Sequence, residues 1–135
     1  MVKKISRKEV PSINFKKFRS VADNFYKGAE IAEEFEYYNA SGVLLVHSAI
    51  AFSDAVTIKY SSKKCSGENH YEIIALLNEV IPKNAGNRNA LNHLEKIIDH
   101  KNVVSYNGEI YSKKDITALK KHFERFKIWA EELIR

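Results

Sequence analysis

With one cysteine, two prolines and five glycines in 135 residues, the chain has few of the devices small folds use to staple or turn a backbone. Cys65 has no second cysteine, so an intrachain disulfide is excluded, and a reducing cytoplasmic setting is expected. So few glycines and prolines disfavour a turn-rich β fold and leave long helices. There is no glycine-rich phosphate loop: "GNRNALNH", residues 86–93, has one glycine and no Lys-Ser or Lys-Thr after it. No glutamate is followed by histidine three positions on, which excludes the paired ligands of a di-iron bundle. One cysteine and five scattered histidines give no zinc-type spacing, so no metal and no cofactor is expected. No internal repeat, low-complexity tract, nucleophile elbow or signal-peptide pattern is visible.

What is present is ordinary globular material, 44% hydrophobic and 29% charged, enough for one domain with a real core. The net charge of +5 permits an anionic partner without requiring one, because the charge is scattered. "MVKKISRK" is basic whereas "EIAEEFE" is acidic. The apolar run "SGVLLVHSAIAF" is short and carries His47, so it reads as a buried core helix and not a membrane span.

Hydrophobic spacing predicts an all-α protein, an up-and-down helical bundle of four main helices plus one shorter helix. A basic tail over residues 1–11 precedes a single domain over 12–135. The first helix runs from about Ser12 to Tyr38, with Phe15, Phe18, Ala22, Phe25, Ala29 and Ala32 on one stripe. The second, about Ala40 to Tyr60, is apolar nearly all round and belongs at the centre. "SSKKCSGEN" breaks the pattern. The third is "HYEIIALLNEVI", stopped by Pro82. "PKNAGN" is a turn; the fourth helix starts at Asn87 or Asn89 with Arg88 on its first turn, and fades near "KNVVSYNG". Ser112 and Asp115 form a capping box for the fifth, whose stripe is Ile116, Leu119, Phe123, Phe126, Ala130 and Leu133.

Two polar residues interrupt the second helix. His47 and Asp54 are seven apart, so they share one line of it, and each must either bond a neighbour inside the bundle or line a pocket or dimer groove. His70 stands at the start of the third helix, as a cap, a packed residue or a ligand contact. His93, His100 and His122 read as solvated surface residues with charged neighbours. Tyr37, Tyr38, Tyr106 and Tyr111 either cover bundle ends or form a contact surface.

Three segments together, "YYNASGVLLVHSAIAFSDAVTIKY", "SGENH" leading into "YEIIALLNEVI", and "HKNVVSYNGEIYSKKDITALKKHFERFKIWAEELI", resemble the HEPN (higher eukaryotes and prokaryotes nucleotide-binding) domain. Gly67 and His70 hold the joint that the family places between its alanine-rich and leucine-rich helices. The resemblance implies a helical bundle, often a homodimer. It also implies a nucleotide, RNA or protein-binding role, or a metal-independent endoribonuclease toxin paired with a nucleotidyltransferase-type antitoxin. Active members carry an Arg, a polar residue, a short spacer and a His. Such a pair would clamp a phosphate and move a proton.

Two stretches compete for that motif. By spelling it is Arg88, Asn89 and His93; by position before the last helix it is Lys101, Asn102 and Tyr106. Lys101 lacks the planar fork of arginine, and Tyr106 is a poor base at neutral pH. The positional reading therefore makes the chain a non-catalytic binding module. The spelling reading makes it a nuclease, and a purely structural bundle without nucleic-acid contact is the third expectation.

Overall fold

Phe15, Ala22, Ala29 and Ala32 are the buried residues of α1 (Phe15–Glu34), and three of them are alanine. So small a stripe lets α2 (Tyr38–Ser61) come close enough for serine hydroxyls to reach across. Ser41 Oγ donates to the Ala29 carbonyl at 2.8 Å and Ser48 Oγ to the Ala22 carbonyl at 2.7 Å. These pairings run in opposite directions along the two helices, so α1 and α2 are antiparallel.

The computed structural model describes residues 6–135. Beyond α1 and α2 it contains α3 (Glu72–Val80), α4 (Ala85–Ser105) and α5 (Lys113–Leu133). The all-α bundle of four long helices and one short one is the architecture found. α2 is its axis, with an almost unbroken buried run from Leu45 to Ile58. Though long and apolar enough to cross a membrane, α2 is spent on the interior, 78% of its most apolar stretch being buried. Phe52 of α2 meets Phe123 of α5 at 6.5 Å, and Lys59 Nζ reaches the Leu133 carbonyl at 3.0 Å. Both pairings advance together, so α2 and α5 are parallel. α4 is antiparallel to α5: Trp129 Nε1 donates to Asn87 near the start of α4, whereas Val104 and Ile116 cluster at its end. The result is up-down-up-down, with α3 inserted in the crossover from α2 to α4.

Gly42 lets α2 and α4 approach closely. A Cβ there would lie 2.7 Å from Val104 Cγ1, inside any tolerated contact. The helix ends differ from expectation in informative ways. α1 stops at Glu34 and not near Tyr38, because Glu36 takes a left-handed conformation with φ 62°. Tyr37 N–H then bonds the Ala32 carbonyl and Glu36 N–H the Glu33 carbonyl, the Schellman pattern that usually places glycine at that position. No glycine marked the stop, so periodicity overran it.

The start of α4 also moves. Asn84 is its N-cap, its side chain accepting from Asn87 N–H at 2.8 Å, so Arg88 lies past the first turn in regular helix. α5 begins as expected, with the reciprocal Ser112–Asp115 capping box in place.

The expected basic tail lies outside the described residues for positions 1–5. From Arg7 onward it is not a tail. β1 (Arg7–Glu9) pairs antiparallel with β2 (Lys63–Cys65), in the segment read only as a break, with Arg7 opposite Cys65. Three residues a side carry too little alternation to announce a strand. Packed on the end of α2, the ribbon buries Val10 and Cys65.

Candidate functional site

His70 is far in sequence from the adjacent pair Lys101 and Asn102, yet all three line one cleft of about 150 Å³. The loop before α3 supplies His70 with Glu68, Asn69 and Tyr71; the last turns of α4 supply Lys101 and Asn102 with Ile98 and Asp99. Asn69 shapes the loop by accepting Tyr71 N–H at 3.1 Å. Tyr71 ties loop to helix, donating its hydroxyl proton to Asp99 at 2.6 Å. That bond to a carboxylate holds the phenol protonated and pushes its pKa up to about 12.

The electrostatics of the cleft follow from its depth. Burial lowers the pKa of His70, and the positive charge of Lys101 lowers it further, so its imidazole is neutral at pH 7. His47 sits behind it on α2, half-buried and 5.9 Å from the Phe25 ring. Its pKa is lowered by the same two causes in the same order. A neutral imidazole beside one ammonium and a side-chain amide can accept or donate hydrogen bonds and hold an anion. Glu68 on the loop side and Asp99 on the α4 side restrict how much negative charge enters.

Asp54 does not join them. It lies farther along α2, 7% exposed, facing Lys64 of β2 at 3.8 Å. Burial dominates and raises its pKa to about 7, the Lys64 charge offsetting only part of that. The shared helix line with His47 therefore leads to two neighbourhoods: a half-buried histidine near His70 and Lys101, and a carboxyl that faces Lys64 of the ribbon.

The Arg88–His93 pair does not form within the chain. Five residues apart on regular helix, they are rotated by about 140°. Arg88 is exposed on the groove shared with α3, beside Ile74 and Asn78. His93 turns toward α5, where its Nδ1 lies 3.0 Å from His122 Nδ1. One ring donates and the other accepts. Burial lowers the pKa of both, with His122 adding to the effect on His93 and His100 to that on His122. The surface reading of these histidines is thus corrected: His93 and His122 bond each other, and His100 bonds the Tyr111 hydroxyl. Sequence spacing gave no signal for the His122 partnership, since it depends on how α5 is rotated against α4.

Tyr106 is separated from Lys101 as well. As the C-cap of α4 it is 75% exposed and lies outside the cleft lining. The positional motif is thus split, with Lys101 and Asn102 kept together and Tyr106 turned to solvent. No protein-family model matches the chain, and no curated protein or solved structure matches it either.

Proposed function

We propose that the chain is a non-catalytic, HEPN-like binding module that takes a phosphate-bearing ligand, RNA or a nucleotide, in the His70–Lys101–Asn102 cleft. The observation that carries this reading is the convergence of those three residues from separate segments, while Arg88 and His93 turn to different neighbours. Lys101 supplies the charge for a phosphate, and Asn102 and neutral His70 supply directional hydrogen bonds. Tyr71, 46% exposed at the cleft edge, offers a ring against which a base stacks. Cleavage lacks support because Arg88 and His93 turn to different neighbours, and the cation in the cleft is a lysine without the bidentate fork.

The test is binding and cleavage of a uridine-rich single-stranded RNA, with ATP as the nucleotide probe, followed by fluorescence anisotropy and gel. Lys101→Ala is expected to weaken RNA binding several-fold and to reduce the salt slope by about one, with no cleavage by either chain. Binding indifferent to Lys101→Ala, or RNA cleavage that disappears in His93→Ala, would overturn the reading.

A further inference from the structure

The four most exposed large apolar residues among those described are Ile110 at 90%, Tyr106 at 75%, and Phe35 and Tyr37 at 66% each. They belong to two connections, the α1–α2 corner and the α4–α5 loop, and Asn39 staples these together at one end of the bundle. Its side-chain amide donates to the Val104 carbonyl at 3.1 Å and the Glu109 carbonyl at 2.8 Å, and its oxygen accepts Tyr111 N–H at 2.9 Å. Phe35 and Tyr37 stack on each other in solvent, ring centres 6.3 Å apart, and Ile31 extends the patch one helical turn back at 57% exposure. Scattered apolar residues on a surface need no explanation; aromatic ones gathered at one end do.

The charge around this end is opposite in sign to the whole chain. Glu30, Glu33, Glu34 and Glu36 line one depression of about 330 Å³ with only Lys113 and Lys120 against them, and Lys120 is taken by Glu33 at 2.9 Å. Glu109 adds a further carboxylate on the facing loop. A protein of net charge +5 thus concentrates negative charge around its most exposed aromatic residues.

We infer that this end is a docking surface for a cationic protein segment, one with apolar side chains for Phe35, Tyr37, Tyr106 and Ile110 and lysines or arginines for the glutamate rim. The charge selects among occupants. RNA is repelled by the rim. A second copy docking the same end face to face brings two acidic rims together, which is also unfavourable. A basic amphipathic segment satisfies both the apolar centre and the rim, and aromatic anchors inside a polar margin are the usual makeup of such surfaces. This surface is independent of the cleft: Lys101 faces one and Tyr106 the other.

The experiment uses the full chain and a labelled amphipathic helical peptide of lysine and leucine, with a glutamate-for-lysine peptide of the same leucine pattern as control. The lysine peptide is expected to bind at least tenfold more tightly than the control. Glu34→Lys with Glu36→Lys, and separately Phe35→Ser with Ile110→Ser, are each expected to weaken it about tenfold or more. All four positions are exposed, and circular dichroism confirms that the variants remain folded. RNA affinity is expected not to fall in either. Equal binding of the two peptides, or unchanged binding in either double variant, overturns the inference. So does sedimentation showing that the natural chain self-associates through this end and that Phe35→Ser with Ile110→Ser dissolves the association.

Discussion

The cleft at His70 and the end at Phe35 both lean on the last turns of α4, yet they are physical opposites. One is a small polar recess with a half-buried neutral imidazole and an ammonium. The other is a broad exposed apolar surface ringed by carboxylates. A helix end one or two turns long thus serves two chemistries, because successive residues point to different sides. Lys101 and Asn102 face the α3 loop, Val104 is buried against α2, and Tyr106 turns outward. The lesson is that a motif read as a contiguous string, Lys101 to Tyr106, is divided by the helix that carries it.

Three perturbations separate or undermine the two regions. The largest acts on α2, the support of both. Asp54 carries a pKa raised to about 7 by burial, so between pH 4 and pH 7 the folded chain retains a proton that the unfolded chain has released. Stability therefore falls as pH rises through that window. Asp54→Asn lacks this dependence, so urea unfolding at pH 4 and pH 8 is expected to shift the stability difference toward the variant by on the order of 2–4 kcal/mol. A difference that does not change with pH rules out a carboxyl buried in its neutral form.

The second perturbation breaks one region and spares the other. Asn39→Ala removes three hydrogen bonds, one to the end of α4 and two to the α4–α5 loop, and is expected to cost about 2 kcal/mol. Hydrogen exchange is expected to accelerate in residues 106–111 and not in residues 68–71. Equal acceleration in both segments would mean that the two regions form one cooperative unit.

The smallest effect sharpens the cleft. His70 has a lowered pKa, so it gains a proton only below its ordinary value near 6.5, and it then adds positive charge beside Lys101. RNA affinity is expected to rise a few-fold as pH falls from 7 to 5.5, and His70→Gln is expected to flatten that rise. A profile unchanged in His70→Gln places the titrating group elsewhere, with His47 the neighbour to test next.

Much of the bundle was readable because helical periodicity is local. The alanine stripe of α1, the all-round apolar α2 and the Ser112–Asp115 cap each depend on residues within a turn or two of one another. Two of the misreadings share one cause. The stop at Glu36 uses a residue rarely found in the left-handed region, and the Arg7–Cys65 ribbon pairs two strands too short to show alternation. Neither carries a local mark. In the site, His70 and the adjacent Lys101–Asn102 pair stand out for separate reasons, and nothing in the spacing between them predicts that they meet.

The sequence by itself determined the helices, which of them lies at the centre, and the absence of disulfide cross-links within the chain. Those outcomes follow from composition and from side-chain spacing along a single helix. Tertiary structure alone decided that His93 bonds His122 and does not pair with Arg88, that His70 meets Lys101, and that Phe35 and Ile110 share one end. Each of these depends on the relative direction and rotation of helices distant in the chain. A rotation of one residue step, about 100°, would exchange every partner without changing any local pattern.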